Sequence, residues 1–172
     1  DTEASVDPRI ERDSPGDGFL AKTCVAWEKA LQGYSCGRVV STRFGVILSP
    51  KGGLLHRLRS LFSLGLGSVL GSGNQRVSWV CLDDALYAIY CCLYHTQLSG
   101  PVNICSPHVV TQYEFAQALA NVLKRSLCCA PPAWVIRAML GDMGAELILS
   151  DHAASPSVLE QYAYTWRHPD LE

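Results

Sequence analysis

The chain has 172 residues, of which 48% are hydrophobic, and its formal net charge is −2 at pH 7. This is the length of one ordinary domain with enough apolar residues for a core, which excludes a disordered protein. The near-neutral charge provides no basic surface for nucleic acid or an anionic membrane, and no apolar run is long enough to span a bilayer. The N-terminal stretch is too polar for a signal peptide, so we expect a cytoplasmic protein.

Helix-like and strand-like segments alternate along the chain, which predicts an α/β fold. The first helix is expected between Asp17, a suitable N-cap, and Gly33. Its apolar face is predicted to consist of Leu20, Cys24, Trp27 and Leu31. Residues 38–49 are apolar on both faces, as in a strand buried within a parallel sheet. A leucine-rich helix is expected over residues 54–64, followed by an extended loop with four glycines over residues 65–73.

The second half of the chain continues the alternation. A second buried strand is predicted over residues 77–82, and Asp83 follows where a helix N-cap is expected. Residues 101–106 form the next predicted strand, and a capping-box pattern that begins at Thr111 opens another helix. A short helix is expected around residues 134–140.

The eight cysteines lie mostly within apolar stretches. This is typical of buried free thiols in a reducing compartment and not of a disulfide scaffold. The pattern Cys-x-x-His occurs at Cys92 and His95 and again at Cys105 and His108, and two such pairs can in principle form a tetrahedral zinc site. One pair falls at a predicted helix end and the other at a strand end, so core thiols near surface histidines are the preferred interpretation. We therefore predict reduced cysteines and no metal site.

Two other patterns are weighed against their structural alternatives. Residues 65–71 match a dinucleotide-binding glycine pattern, but that loop requires a strand before it and a helix after it. Here the predicted order is reversed, which excludes a phosphate loop. The adjacent carboxylates Asp83 and Asp84 stand at a predicted helix start. Stabilisation of the helix N-terminus is therefore the preferred interpretation over a catalytic acid–base pair.

Three segments of the chain together resemble a known family. They read RVVSTRFGVILSPKGG (residues 38–53), LGLGSVLGSGNQRVSWVCLDDAL (64–86) and GPVNICSPHVVTQYEFAQAL (100–119), and the terminal RHPDLE adds to the likeness. They are similar to the C-terminal half of the extended short-chain dehydrogenase/reductases, in particular to the NAD(P)-dependent epimerase-like branch known as epimerase family proteins.

The resemblance implies an α/β fold that is the C-terminal part of a Rossmann-type doubly wound parallel sheet plus a smaller substrate-side lobe. Residues 1–50 would belong to the cofactor domain and residues 51–172 to the smaller lobe, with residues 77–110 returning to the sheet. It also implies NAD(P) as cofactor. Most of the NAD(P) site would lie outside this chain, because the family's glycine-rich phosphate loop precedes the segments matched here.

The family pattern also assigns two groups of binding residues. Those near the nicotinamide would be Arg43, Phe44, Gly45 and Val46. Those facing the substrate would be Asn74, Gln75, Arg76 and Trp79. No catalytic residue is assigned, because Leu20 and Cys24 occupy the positions of the superfamily's Tyr-x-x-x-Lys pair.

One departure from the family pattern bears on the substrate. Val77 stands where sugar-nucleotide enzymes carry a diphosphate-binding arginine, and Arg76 is one residue early, which reverses its face in a strand. The resemblance thus predicts an NAD(P)-dependent epimerase or oxidoreductase for a small carbonyl or sugar-like molecule, with this chain alone inactive. The alternative is a non-catalytic fragment or interaction module. The expected partner is a small molecule, with neither nucleic acid nor membrane, and the oligomeric state stays open.

Overall fold

A computed structural model describes residues 7–31, 33–35, 37–128 and 151–171. The short helix expected around residues 134–140 lies outside them. The strands are β1 Val40–Phe44, β2 Val46–Leu48, β3 Arg76–Val77, β4 Trp79–Cys81, β5 Gly100–Ile104 and β6 Val110–Thr111. The helices are α1 Phe19–Leu31, α2 Gly53–Ser63, α3 Leu82–Tyr94, α4 Gln112–Val122 and α5 Ser157–Gln161.

The strands form three pairs, two of them parallel. β1 pairs with β5, Val40 lying opposite Gly100, and β2 pairs with β4, Val46 lying opposite Trp79. β3 and β6 form a short antiparallel pair. The parallel strands are connected through helices, α2 between β2 and β4 and α3 between β4 and β5. This confirms the predicted α/β fold.

The predicted continuous strand over residues 38–49 is wrong, because the chain changes partner at Gly45. The Gly45 amide donates to the Ile104 carbonyl at 3.0 Å, and the next amide, of Val46, donates to the Ser78 carbonyl at 2.8 Å. A Cβ atom on Gly45 would lie 2.8 Å from the Ser78 carbonyl oxygen. The apolar pattern continues through this junction, so the sequence does not indicate the change of partner strand.

The predicted strand over residues 77–82 is likewise divided, at Ser78. Its hydroxyl donates to the His152 carbonyl at 2.8 Å and accepts from the Ala154 amide at 2.7 Å. The following helix, α3, begins at Leu82 with Cys81 as its N-cap. The expectation that Asp83 is the N-cap is therefore wrong, and Asp83 lies in the first turn instead.

The larger core lies between the β1–β5 pair, β4, α3 and α5. Small α3 side chains let the helix approach the strands closely. The buried residues of this core are Val80, Ala85, Ala88, Cys92, Leu98, Val102, Ile104 and Leu159. A second cluster forms where Phe62 of α2 packs against Ala116 and Ala120 of α4.

Helix α1 has the predicted apolar face, but none of its residues is buried. Trp27 is 70% exposed and Cys24 is also exposed, so the expectation of a core position for Cys24 is wrong. The helix is held to β1 by Arg43, whose Nε and Nη2 atoms each donate to the Glu28 carboxylate at 2.7 Å. Spacing predicted the helix correctly but not the burial of this face, since Leu20 is half-buried and Cys24, Trp27 and Leu31 are exposed.

The capping box at the start of α4 is confirmed. The Thr111 hydroxyl accepts from the Glu114 amide at 3.2 Å, and the Glu114 carboxylate accepts from the Thr111 amide at 2.7 Å. The hydrogen bonds that the Thr111 amide and hydroxyl donate to the Glu114 carboxylate hold its pKa below the usual value. In the described ranges, no helix combines the length and apolar character that crossing a bilayer requires.

Replacement of Thr111 by alanine should destabilise the protein by about 1 kcal/mol, because an orphan amide at the helix start loses its acceptor. The free energy of unfolding, measured by urea titration, checks this. Thr96→Ala is the control, since Thr96 lies exposed in the turn after α3. An equal loss in both variants would contradict a capping role for Thr111.

Candidate functional site

A cavity of about 410 Å³ lies at the carboxyl ends of the parallel strands β2 and β4. This volume is within the range of small-molecule sites. Its walls come from four places: the end of β2 with the start of α2, the end of β4, one face of α4, and the terminal segment 167–171. The lining residues ahead of the terminal segment are Leu48, Pro50, Leu55, Trp79, Cys81, Phe115, Ala118, Leu119 and Val122. A mostly apolar wall results.

Trp79, one of the lining residues, carries a buried polar atom. The residue is 3% exposed, and its indole Nε1 donor has no hydrogen-bond partner among the residues that the structure describes. Leaving such a donor unpaired costs about 1–3 kcal/mol. A bound molecule with an acceptor oxygen or nitrogen at this point would remove that cost.

The terminal segment is held over the cavity by Asp84. This carboxylate is 1% exposed and accepts the backbone amides of Arg167 and His168, each at 2.9 Å. The Tyr164 hydroxyl donates to the Asp84 carbonyl at 2.9 Å. The Arg167 guanidinium lies 3.9 Å from the centre of the Tyr87 ring. One buried carboxylate therefore positions the segment that closes one side of the cavity.

Further contacts hold the terminal segment just before Arg167 and just after His168. The Trp166 indole donates to the Cys105 carbonyl at 3.0 Å, and the ring of His108 lies with Nδ1 2.5 Å from the Asp170 carboxylate. Burial raises the pKa of the Cys105 thiol to about 12, so this sulfur stays protonated at neutral pH. Cys105 is thus a structural residue beneath the segment.

Comparison with known proteins identifies relatives of this chain in both sequence and structure. An epimerase family protein of Mycobacterium tuberculosis is 43% identical over 92% of this chain and 53% of its own length. The crystal structure of human epimerase family protein SDR39U1 (isoform 2) with NADPH superposes with a TM-score of 0.91 at 28% identity, covering 96% of this chain and 57% of that one. The chain is thus similar to epimerase family proteins over nearly its whole length. It spans about half the length of the curated relatives it matches.

Two further matches were found. A nucleoside-diphosphate sugar epimerase from Corynebacterium glutamicum is 31% identical, with a TM-score of 0.76 over 96% of this chain and 32% of its own. A family model described as "Domain of unknown function (DUF1731)" matches residues 131–172. The matched epimerases confirm the predicted resemblance to extended short-chain dehydrogenase/reductases. They also confirm the Rossmann-type α/β fold.

The four residues that the epimerase family pattern places near the nicotinamide lie at the β1–β2 junction. Arg43 is engaged by Glu28, and this hydrogen bond lowers the pKa of the Glu28 carboxyl and raises that of Arg43. Phe44 is 41% exposed, whereas Gly45 and Val46 lie against β4. None of the four lines the cavity.

Of the four predicted substrate-side residues, only Trp79 lines the cavity. Asn74 is exposed, and the Gln75 amide makes hydrogen bonds of 2.6 and 3.0 Å within its own glycine loop. The Arg76 guanidinium forms an ion pair with Asp151, Nη2 to Oδ2 at 2.5 Å, and this hydrogen bond lowers the pKa of that carboxyl. The side chains of Gln75 and Arg76 are therefore held by contacts outside the cavity.

The histidines of the two Cys-x-x-His pairs have other partners. His95 packs edge-on against the Tyr162 ring, 5.6 Å between centres, and His108 contacts Asp170. Neither pair contributes to a group of three potential metal ligands within the part of the chain that the structure describes. The glycine pattern at residues 65–71 follows α2 and precedes β3, the order predicted to exclude a phosphate loop.

Asp84 and the terminal segment were missed by the sequence reasoning. The pair Asp83 and Asp84 was interpreted as one helix-start feature, but Asp83 is exposed and Asp84 is buried. The signal that separates them is the helical position: Asp84 stands beside Ala85 on the inward face of α3, one residue beyond Asp83. Its backbone partners lie more than eighty residues away, and no local pattern indicates them.

Proposed function

We propose that this chain works as the C-terminal portion of an NAD(P)-dependent epimerase or oxidoreductase that acts on a small carbonyl or sugar-like molecule, with the cavity as its substrate site. The observation that carries the proposal is the cavity's place at the carboxyl ends of parallel strands. Ligands of open α/β sheets bind at that edge. The human relative of 0.91 TM-score was crystallised with NADPH.

On the cofactor side, the proposal assigns Arg43, Phe44, Gly45 and Val46 to the nicotinamide end. At Gly45 the chain leaves the β5 partner and joins the β4 partner. This junction follows the carboxyl end of β1, and dinucleotides of this fold bind at the carboxyl ends of the parallel strands. Residues 1–50 would belong to the cofactor domain and residues 51–172 to the smaller lobe, with residues 77–110 returning to the sheet.

On the substrate side, the unpaired Trp79 indole would donate to an acceptor atom of the bound molecule, and the apolar walls would contact its carbon skeleton. Asn74, Gln75 and Arg76 would belong to a substrate-side loop outside the cavity itself. Because Asp151 holds Arg76, an anionic substrate group would have to share the guanidinium with that carboxylate. The proposed compartment is the cytoplasm, which agrees with the free thiols of the six described cysteines.

NADPH binding tests the proposal. The chain alone should bind NADPH weakly or not at all, because the pyrophosphate site of this fold is a helix N-terminus that precedes the segments present here. A version that carries the N-terminal half of a relative should bind NADPH at micromolar concentration. Both are measured by titration of NADPH fluorescence.

Two outcomes decide against the proposal. Micromolar affinity in the chain alone would show that the assumed division of the cofactor site is wrong. Absence of NADPH binding in the extended protein would overturn the enzymatic function and favour a non-catalytic interaction module.

A further inference from the structure

We propose that Cys81, Asp83 and His168 form a binding site for one zinc ion at the wall of the cavity. The Cys81 sulfur, a carboxylate oxygen of Asp83 and a ring nitrogen of His168 all lie within 4.8 Å of one another. In residues 7–31, 33–35, 37–128 and 151–171 this is the one group of three or more potential metal ligands so placed. Two of its members, Cys81 and His168, line the cavity.

The fold positions these side chains through contacts that involve no metal. Cys81 ends β4 and is the N-cap of α3, yet its side chain makes no capping hydrogen bond, so the sulfur is not committed to the helix. Asp83 follows in the first turn. His168 is brought beside them because its backbone amide donates to Asp84 at 2.9 Å. The buried Asp84 therefore holds the backbone from which the third ligand extends.

The donor set is suited to zinc. Thiolate, imidazole and carboxylate groups are the three ligand types that zinc takes from proteins, and three protein ligands leave one position of a tetrahedron open. Zinc bonds of about 2.0–2.3 Å require the donor atoms to approach somewhat more closely than 4.8 Å. Asp83 and His168 are exposed, so rotation of their side chains can close the remaining distance.

The local charges also permit a cation. The positive end of the α3 dipole faces this point, but Asp83 and Asp84 lie in that first turn and offset it. The neighbouring cation, Arg167, is engaged over the Tyr87 ring. Binding would release the Cys81 thiol proton to solvent. The open position would face the cavity, where a donor atom of a bound molecule can complete the coordination.

This inference departs from the prediction of a metal-free protein. That prediction considered the two Cys-x-x-His pairs, whose ligands are close in sequence. Here Cys81 and His168 are far apart along the chain, and the contacts that hold the terminal segment, that of Asp84 among them, bring them together.

Cobalt(II) is the probe for the experiment, since it takes the same ligands as zinc and its thiolate bond gives a near-ultraviolet absorption band. Titration of the purified chain should produce this band with an end point at one equivalent, and Zn²⁺ should abolish it. Cys81→Ser should remove the band. Asp83→Asn and His168→Gln should each weaken Co²⁺ binding about tenfold or more. The matched controls Cys24→Ser and His56→Gln, both at exposed positions, should leave it unchanged.

A second readout separates this site from other thiols. Zn²⁺ should raise the melting temperature of the wild-type chain and not that of Cys81→Ser, because an ion that binds the folded form stabilises it. A band that persists in Cys81→Ser would assign the metal to another cysteine and overturn the proposal. Absence of any thiolate band in the wild type would overturn it as well.

Discussion

Asp84→Ala should lower the free energy of unfolding by about 3 kcal/mol or more, since two backbone amides lose a charged acceptor in a buried place. The two amides are those of Arg167 and His168, both 2.9 Å from the Asp84 carboxylate. Urea titration measures the loss. The matched control is Asp83→Ala, which removes the same side chain one residue earlier at an exposed position. In the metal-free protein only a favourable interaction with the helix dipole is lost there, worth about 0.3–1 kcal/mol.

Limited proteolysis gives a local readout of the same variant. Trypsin cleaves after Arg167, whose backbone is held by Asp84. Release of the segment should accelerate this cleavage in Asp84→Ala and leave it nearly unchanged in Asp83→Ala, because proteases act on segments that open locally. Equal destabilisation in both variants would show that first-turn charge matters and that the contact with the terminal segment does not.

The fold was predictable to the extent that it depends on local patterns. The order of helices and strands, the α2 helix and the capping box at Thr111 follow from residue spacing and side-chain type, and the structure confirms them. The divisions at Gly45 and Ser78 were not predictable in this way. They depend on contacts to Ile104 and His152, which are distant in sequence, and the apolar pattern is the same on both sides of each division.

The candidate site was less predictable than the fold, for a related reason. Trp79 was assigned by resemblance and lines the cavity, but Asp84 acts through backbone groups of the terminal segment. Backbone amides carry no sequence signal. Helix α1 shows the same limit, because its apolar spacing predicts the helix and the structure leaves most of that face exposed.

Gly45→Ala should destabilise the protein by about 1–3 kcal/mol, the usual loss when an atom is added to a filled space. The new Cβ would lie 2.8 Å from the Ser78 carbonyl oxygen, 2.9 Å from its carbon and 3.1 Å from the Trp79 nitrogen. All three are backbone atoms of the partner chain segment, so no side-chain rotation relieves the contact. β2 and β4 would have to separate, weakening the 2.8 Å hydrogen bond from Val46 to Ser78.

The matched control for this substitution is Gly33→Ala. A Cβ on Gly33 meets no atom within 4 Å, so the same added methyl group should leave stability unchanged or raise it slightly by restricting the unfolded chain. Urea titration compares the two variants. Because Trp79 lines the cavity and lies opposite Val46, Gly45→Ala should also shift the Trp79 indole. Wild-type stability in Gly45→Ala would mean that the two strands lie farther apart at this junction than the structure has them.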